Sequence, residues 1–346
     1  MASFSKVIVT GGCGYIGSHT TVELIESGFN VVILDDLSNS SQETIKRIYQ
    51  ITGVKPEFIE VDLKESDLTK KAIESHSDAT AIIHFAASKA VAESVNNPLK
   101  YYRNNFVGLL NTLQAQVDVG INNFIFSSSA TVYGLPETLP IPESSKTQRP
   151  FSPYGNTKKV AEEILEDLAK ANKGFAAISL RYFNPIGAHG SGLIGELPTG
   201  IPNNLLPFIT QTAAGVREKL LVYGNAYPTK DGTPIRDYIH VVDLAKAHVL
   251  ALNRLNKKLQ EERFEIFNLG TEKGYSVMDI INTFERVTGQ KLNYEITDRR
   301  GGDAPQLYSS AKMALEKLNW RAELSLEDMI SSAWRWEQNY RQTNAS

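Results

Sequence analysis

The segment 10–17, with the sequence TGGCGYIG, constrains the fold of this chain more than any other feature. It follows the apolar run 6–10, and closely spaced glycines between a strand and a helix are typical of the first turn of a dinucleotide-binding fold. Gly11 allows a tight turn there, Gly14 lets a pyrophosphate approach the backbone, and Gly17 allows the helix to pack closely on the strand. We therefore predict a dinucleotide whose pyrophosphate lies at the amino terminus of this helix.

The second apolar run, 30–35, ends in an acid at the distance from the glycines, about 20 residues, that is expected for such a site. Asp35 is placed to accept hydrogen bonds from both hydroxyls of a ribose and to repel a 2′-phosphate. Its neighbour Asp36 adds negative charge, although a solvated loop residue explains it equally well. The two acids predict NAD rather than NADP as the cofactor.

Short apolar runs alternate with amphipathic stretches through the first half of the chain. The predicted strands are 6–10, 30–35, 57–61, 80–86, 123–127 and 176–182, and helical periodicity is clearest at 20–27, 101–117 and 153–171. Continuous Val, Ile and Phe runs are typical of strands covered on both faces, and their alternation with helices favours a parallel sheet. We predict an α/β fold with a Rossmann-type doubly wound parallel sheet, formed by residues 1–184 as the NAD-binding domain.

The composition changes after Asn184, because residues 185–235 are rich in glycine and proline. Two later segments, 238–243 and 264–270, resemble strands, so we expect residues 236–250 and 264–270 to rejoin the main sheet. The rest of 185–346 is predicted to form a smaller, interleaved substrate-binding lobe. Open α/β sheets bind ligands beyond the carboxyl ends of their strands, so the crevice between the lobes is the expected site.

Tyr154 and Lys158 lie four residues apart in a predicted helix that has Ser152 as its N-cap and Pro153 at its first position. This spacing places both side chains on one face of the helix. A nearby ammonium group and the positive charge of oxidised nicotinamide both favour the phenolate, so Tyr154 is a candidate general base for a sugar hydroxyl. Lys158 is also placed to hold the nicotinamide ribose.

Such a pair also occurs by chance, and the hydroxyl-rich segment 126–134, FSSSATVYG, favours the catalytic interpretation. It follows the fifth predicted strand, so its side chains are expected at the rim of the nucleotide crevice. There Ser129 can share a hydrogen bond with the reacting hydroxyl and with Tyr154. The plain alternative is a loop whose hydroxyls cap the local backbone.

Composition argues against several other classes of protein. The net charge is −3 and there is no basic run, so a nucleic acid partner is not expected. Cys13 is the only cysteine, which excludes an intrachain disulfide and a cysteine-rich metal site, and we expect no metal. The sequence has neither a signal-peptide pattern at its start nor an apolar stretch near the roughly 20 residues of a membrane span. We therefore expect a cytoplasmic protein.

Taken in order, these motifs resemble the extended short-chain dehydrogenase/reductase superfamily, and most closely its UDP-galactose 4-epimerase family. The resemblance extends from Val7 to about Trp336, and it is most specific at 11–20 (GGCGYIGSHT), 126–134, 181–185 (RYFNP), 200–205 (GIPNNL) and 236–241 (RDYIHV). It implies reversible C4 epimerisation of UDP-galactose and UDP-glucose through a 4-keto sugar. It also implies an NAD that stays bound through turnover.

The resemblance further implies which residues form the site. The catalytic residues would be Ser129, Tyr154 and Lys158. The residues around NAD would be Gly11, Gly14, Tyr15, Ile16, Gly17, Asp35, Asp62, Leu63, Phe85, Ala86, Lys89, Asn104, Ser127, Tyr154 and Lys158. The residues around the UDP-sugar would be Ser129, Asn184, Asn203, Asn204, Leu205, Val222, Tyr223, Arg236, Arg300 and Asp303. Arg236 and Arg300 are suited to clamp the diphosphate, and Asp303 to accept a bond from the uridine ribose.

Three positions differ from the usual pattern of that family. Ala87 and Ser88 stand where Gly and Leu are common, which bears on the placement of the nicotinamide. Leu307 stands where a bulky tyrosine accompanies substrates with a small C2 group, so UDP-N-acetylhexosamines are an alternative substrate class.

Other functions are possible on the same fold. A nucleotide-sugar 4,6-dehydratase would need carboxylates where this chain has Ala130 and Thr131, and a non-catalytic NAD sensor would not need Ser129, Tyr154 and Lys158. The resemblance also implies a homodimer built from the helices 101–117 and 153–171, although their apolar stripes can equally face their own sheet.

Overall fold

In the computed structural model, which describes residues 5–299 and 304–344, strands and helices alternate along most of the chain. The strands are β1 (Lys6–Thr10), β2 (Asn30–Asp35), β3 (Glu57–Glu60), β4 (Ala81–His84), β5 (Asn123–Ser129), β6 (Ala176–Tyr182), β7 (Asn184–Ile186), β8 (Leu220–Tyr223), β9 (Ile235–His240), β10 (Phe264–Leu269), β11 (Gly274–Ser276), β12 (Tyr294–Thr297) and β13 (Gln306–Leu307). The helices are α1 (Tyr15–Glu26), α2 (Glu43–Thr52), α3 (Ser66–Glu74), α4 (Val91–Asn96), α5 (Pro98–Val119), α6 (Pro153–Ala171), α7 (Leu205–Ala213), α8 (Val241–Asn256), α9 (Val277–Thr288), α10 (Lys312–Leu318) and α11 (Leu326–Asn344).

Seven parallel strands form the large sheet, in the order β10-β6-β5-β4-β1-β2-β3. The chain fills the β1-β2-β3 side first and then crosses to β4 on the other side of β1. A crevice opens at this reversal, beyond the carboxyl ends of β1 and β4, and ligands bind there in sheets of this kind. The predicted Rossmann-type doubly wound sheet is confirmed.

Apolar layers cover both faces of the large sheet. Successive strand residues point to opposite faces, so Val7 and Val9 pack in one layer while Ile8 packs in the other. Leu244 of α8 contributes to the first layer and Leu165 of α6 to the second. Within the described ranges, no helix combines the length and the apolar character that crossing a membrane would require.

The later part of the chain rejoins the large sheet in a different way from the one we predicted. β10 pairs with β6 along its whole length, as expected for 264–270. The expectation was wrong for 238–243, because β9 pairs with β7, β11 and β13 in a separate small sheet. Only the following helix, α8, packs on the large sheet, beside α1.

The buried carboxylate of Asp237 explains this difference. It accepts hydrogen bonds from the backbone nitrogens of Thr271 at 2.7 Å and Ser309 at 3.1 Å. A buried carboxylate is stable only with such partners, and the segments that flank β11 and β13 provide them. The division of the chain into two domains near residue 184 stays a prediction.

Several element boundaries differ from the sequence prediction. α1 begins at Tyr15 rather than at residue 20, because its first turn contains Gly17 and other small or polar residues that apolar periodicity does not detect. α5 begins at Pro98 rather than at residue 101, since proline is favoured in the first turn of a helix. β5 continues to Ser129, two residues beyond the predicted end, and this extension carries the hydroxyl-rich segment to the crevice.

Candidate active site

The glycine loop lies between the carboxyl ends of β1 and β4. Gly11 has a φ of +68°, and a Cβ there would lie 2.7 Å from the backbone nitrogen of Ala86. A Cβ on Gly17 would lie 2.2 Å from the carbonyl oxygen of Gly11, so neither position accepts a side chain. Gly14 is the N-cap of α1, and neither a side-chain cap nor an acidic residue in the first turn competes for the helix amides. These features fit a pyrophosphate at the start of α1.

Asp35, at the end of β2, is held beneath the glycine loop. Its carboxylate accepts hydrogen bonds from the backbone nitrogens of Cys13 at 2.9 Å and Leu37 at 3.0 Å, and from the hydroxyl of Ser40 at 2.8 Å. Burial raises the pKa of Asp35, and these hydrogen bonds oppose that rise. An ionised carboxylate has about four acceptor sites, so capacity remains for about one ribose hydroxyl. Asp36 is exposed and accepts bonds only within its own loop.

Lys64 joins two of the residues predicted to surround NAD. Its ammonium group lies 2.9 Å from the carboxylate of Asp62 and 3.0 Å from the side-chain oxygen of Asn104. Burial raises the pKa of Asp62, but the hydrogen bonds and charge of Lys64 hold it below its usual value. Sequence reasoning did not identify Lys64, although its position two residues after Asp62 and next to Leu63 was available as an indication.

The loop after β4 contains Phe85, Ala86 and Lys89, and it is fixed through Asn105 of α5. The side chain of Asn105 accepts a hydrogen bond from the backbone nitrogen of Ser88 at 2.8 Å and donates one to its carbonyl oxygen at 3.1 Å. It also donates to the hydroxyl of Thr157 on α6 at 3.0 Å. The backbone of Ser88, one of the three positions that depart from the family pattern, is therefore tied to the helix that bears Tyr154.

Ser129, Tyr154 and Lys158 meet at the carboxyl end of β5. Ser152 caps α6 by accepting a hydrogen bond from the backbone nitrogen of Gly155 at 3.1 Å, which starts the helix at the predicted position. The ammonium group of Lys158 donates to the carbonyl oxygen of Ser127 at 2.6 Å and lies 5.9 Å from the centre of the Tyr154 ring. The predicted trio is thus brought together on two adjacent elements.

Burial controls the ionisation of this trio. It raises the pKa of Tyr154 to about 12, and a hydrogen bond with Ser129 opposes the rise. Burial lowers the pKa of Lys158 to about 7, against the charge of Glu162. Without a ligand, these groups therefore favour a neutral phenol at Tyr154. The predicted shift toward phenolate needs a protonated Lys158 and the positive charge of NAD together.

Thr131 orients Ser129, and sequence reasoning did not give it that role. Its hydroxyl donates to the Ser129 hydroxyl oxygen at 3.0 Å, and its backbone nitrogen lies 3.2 Å from the same atom. Because Ser129 accepts two bonds from this side, its own proton is directed away from Thr131. Ser129 can therefore donate toward Tyr154 or toward a substrate oxygen.

A buried polar network supports the trio from behind. Glu162, one turn after Lys158 on α6, accepts from the Ser128 hydroxyl at 2.6 Å and from the Arg181 guanidinium at 2.6 and 3.0 Å. Arg181 also donates to the hydroxyl of Tyr133 at 2.8 Å. Sequence reasoning missed this network; a charged residue, Arg181, near the carboxyl end of the apolar strand β6 was the available indication.

The predicted sugar-side residues come from separate segments of the second half of the chain. Asn184 begins β7, Asn203 and Asn204 precede α7, Leu205 is its first residue, Val222 and Tyr223 end β8, and Arg236 lies on β9. The β7–β9 pairing brings the segments of Asn184 and Arg236 side by side, and Arg236 donates to the carbonyl oxygens of Ile235 and Ala304, both at 2.8 Å. Arg300 and Asp303 lie outside the described residues.

Leu307 lies close to the catalytic end of the crevice. It pairs with Arg236 in the small sheet and packs against a buried apolar cluster that includes Ala130, Tyr133 and Phe183. Its side chain is half-buried there. The size of the residue at this place can limit which substituents a sugar can have if it is to bind.

Residues 7–270 of this chain match the model of the NAD dependent epimerase/dehydratase family. The curated proteins include a UDP-glucose 4-epimerase of Drosophila melanogaster that is 48% identical over 337 residues, which cover 96% of each chain.

Solved structures agree with that similarity over the whole chain. A UDP-glucose-4-epimerase from Stenotrophomonas maltophila, with bound NAD and formylated UDP-arabinopyranose, has 44% identity and a TM-score of 0.94, covering 99% of this chain and 100% of its own. A UDP-glucose 4-epimerase from Bifidobacterium longum, in complex with NAD+ and UDP, has 42% identity and a TM-score of 0.92, covering 97% and 98%.

Proposed function

Since this chain belongs to the NAD dependent epimerase/dehydratase family, we propose that it interconverts UDP-galactose and UDP-glucose by inverting C4, with a tightly bound NAD. Near full-length similarity to UDP-glucose 4-epimerases supports this reaction, and the glycine loop above Asp35 supports the cofactor.

The observation on which the proposal chiefly rests is the meeting of Ser129 and Tyr154 at the crevice. The Ser129 hydroxyl opposes the rise that burial causes in the pKa of Tyr154, and the ammonium group of Lys158 lies 5.9 Å from the centre of the tyrosine ring. Two hydroxyls placed in this way at the reaction centre can pass a proton between the protein and a sugar hydroxyl. A protein that only sensed NAD would have no use for this arrangement.

NAD, when bound, supplies the hydride acceptor and donor for C4. Tyr154 takes the proton of the C4 hydroxyl as C4 is oxidised, and it returns a proton when the 4-keto sugar is reduced on its opposite face. Ser129 bridges the sugar oxygen and Tyr154, since Thr131 directs its proton away from the loop. Lys158 holds the nicotinamide ribose, and its charge favours the phenolate form of Tyr154.

The UDP group keeps the sugar in the site while its 4-keto ring turns over. Among the residues predicted to clamp the diphosphate, Arg236 is the one that the structure describes. Asn184, on the neighbouring strand β7, is suited to hydrogen bonds with sugar or phosphate oxygens. We propose the same role for Arg300, and for Asp303 a bond to the uridine ribose.

UDP-N-acetylhexosamines are the second candidate substrate class, and Leu307 is the observation that favours it. A half-buried leucine leaves more room beside Phe183 than a tyrosine would. Incubation with UDP-N-acetylgalactosamine tests this candidate directly, and Leu307→Tyr should abolish turnover of the acetylated sugar while sparing UDP-galactose.

A 4,6-dehydratase reaction is disfavoured by the groups beside Ser129. Elimination of water needs an acid–base carboxylate there, whereas Ala130 has no polar side chain and the Thr131 hydroxyl is bonded to Ser129. Formation of a 4-keto-6-deoxy sugar as the final product would contradict this assignment.

The proposed reaction is tested by incubating the purified protein with UDP-galactose and no added cofactor. Chromatography should show UDP-glucose, because NAD that remains bound is regenerated in each cycle. If denaturation releases NAD but no UDP-glucose has formed, the proposed reaction is wrong and the assignment of NAD as the cofactor stands. That result would favour a non-catalytic NAD sensor.

We propose that the protein is cytoplasmic and forms a homodimer through α5 and α6. Exposed apolar side chains on α5, among them Leu99 and Leu110, support a partner surface there. Light scattering should give twice the chain mass of 38.3 kDa, and a monomeric mass would overturn the assignment.

A further inference from the structure

Glu196 lies between the two halves of the site. Its carboxylate oxygen is 3.1 Å from the ammonium group of Lys89 and 2.7 Å from the side-chain nitrogen of Asn204. Lys89 lies in the loop after β4, which we assign to NAD, whereas Asn204 precedes α7, which we assign to the UDP-sugar. One carboxylate oxygen thus contacts both.

The carboxylate is well shielded, unlike most ion-paired acids on this protein. Its side chain is 10% exposed, while that of Lys89 is 48% exposed. The backbone of Glu196 is also held, because its carbonyl oxygen accepts a hydrogen bond from the Trp336 indole at 3.2 Å. Glu196 is therefore a fixed point, and the flexible lysine is held by it.

Lys89 is held from a second side by the glycine-loop helix. Its ammonium group lies 5.7 Å from the centre of the Tyr15 ring, and the Tyr15 hydroxyl donates to the carbonyl oxygen of Gly187 at 2.7 Å. Burial, and to a smaller extent the charge of Glu196, raises the pKa of Tyr15. These contacts keep the lysine over the start of α1, where the pyrophosphate is expected.

Asn204 shows that the contact is not a by-product of helix capping. It occupies the N-cap position of α7 but makes no side-chain cap bond, and its amide is directed to Glu196 instead. Asparagine at an N-cap usually bonds to the helix backbone. The helix has lost that bond, and the asparagine has a fixed orientation in the site.

We propose that Glu196 is a positioning residue that fixes Lys89 on the cofactor side and Asn204 on the sugar side of the site. This inference rests on the proposed function, because it assigns those two residues to NAD and to the UDP-sugar. Glu196 itself need not touch either ligand. Glu196 orders two flexible side chains before the ligands bind. Binding then costs less side-chain conformational entropy.

Two substitutions separate the two contacts. Glu196→Gln keeps a side-chain oxygen that can accept from Asn204 but removes the charge that holds Lys89, whereas Glu196→Ala removes both. We therefore expect faster NAD release from both variants, and a raised KM for UDP-galactose only in Glu196→Ala. The KM increase should be about tenfold or more, as expected for a lost hydrogen bond to an ionised acceptor. The kcat of Glu196→Gln, expressed per bound NAD, should change little.

Glu285 on α9 offers a matched control. Its carboxylate is 19% exposed, pairs with Lys291 at 2.7 Å and accepts from the backbone nitrogen of Leu292 at 3.0 Å, outside the site. Glu285→Gln should leave both NAD release and KM at the wild-type values. This control separates the loss of a half-buried acid from the loss of Glu196 in particular.

The experiment measures NAD remaining per chain after prolonged dialysis of the purified holoprotein, together with kcat and KM for UDP-galactose. In a Lys89→Met background, Glu196→Gln should cause no further loss of NAD, because the partner of the charge is gone. Wild-type NAD retention in Glu196→Gln, tighter retention, or an equal KM increase in both Glu196 variants would overturn the proposal. If the wild-type protein retains NAD but converts no UDP-galactose, the proposed reaction is wrong. The amount of NAD retained after dialysis still tests whether Glu196 positions Lys89.

Discussion

Tyr154 is the residue on which the proposed chemistry depends most. In that proposal its hydroxyl moves the proton of the sugar, while burial keeps the pKa of the phenol without ligand near 12. The bound cofactor and Lys158 must therefore stabilise the phenolate at the moment of reaction. An ordinary surface tyrosine would not need this environment.

Tyr154→Phe tests that role, since it removes only the hydroxyl. We expect kcat to fall by about 100- to 10,000-fold, which is the usual contribution of a positioned general base. NAD bound per chain, measured after denaturation, should equal that of the wild type. Wild-type turnover in this variant would refute the assignment of Tyr154.

Thr131 should contribute through Ser129 alone. Thr131→Val removes the hydroxyl that orients Ser129, and a lost hydrogen bond of about 1 kcal/mol corresponds to about a fivefold decrease in kcat. Thr131→Ser retains a hydroxyl and should restore most of the rate. Steady-state kinetics with UDP-galactose distinguishes the two variants, and equal rates in both would show that the hydrogen bond has no role.

The sequence predicted those site residues whose chemistry restricts the residue type at one position. Only glycine fits at Gly11 and Gly17, and Tyr154 with Lys158 at helical spacing indicates a base and its cation. The residues that hold these groups in place were not predicted, because their partners are distant in sequence. Glu196 lies 107 positions from Lys89, and no local pattern indicates such a contact.

At the level of elements, the parallel strands were the most predictable part of the fold. β1, β2 and β6 have the predicted bounds, because strands buried on both faces appear as uninterrupted apolar runs. β9 was assigned to the wrong sheet, since its sequence indicates a strand but does not specify the neighbours of that strand. Its buried Asp237 finds partners only in the folded chain.

His248 gives α8 a pH-dependent contribution to stability. Its ring contacts the Tyr182 hydroxyl at 2.5 Å and the carbonyl oxygen of Leu244 at 2.8 Å, and burial lowers its pKa to about 4. An unfolded histidine has a pKa of about 6.5, so between about pH 4 and 6.5 the unfolded chain binds more protons. The stabilisation is therefore complete above that window and is lost as the pH falls through it.

His248→Gln removes this titration. At pH 7 the variant should be less stable than the wild type, and the difference in free energy of unfolding should shrink by about 1 kcal/mol per pH unit between about pH 6.5 and 4. Urea unfolding at several pH values measures the difference. A difference that stays constant across this range would contradict the assignment.

For the whole molecule, the interleaving of the chain explains why one site has contributions from both halves. The segment after β7 returns to the glycine-loop helix, where Gly187 accepts from Tyr15 and Glu196 pairs with Lys89. β10 then completes the large sheet beside β6. The proposed assignment places NAD mainly on the first half and the UDP group on the second, so one crevice would hold both ligands through a complete redox cycle.

The central claim is that hydride leaves C4 and returns to the same carbon without exchange with water. Conversion of UDP-galactose labelled with deuterium at C4, in ordinary water and with no added NAD, tests it most directly. Mass spectrometry of the product should show UDP-glucose with the deuterium retained at C4. UDP-glucose that has lost the label to water would contradict the account, because the inversion would then proceed by removal of a proton from C4 rather than a hydride.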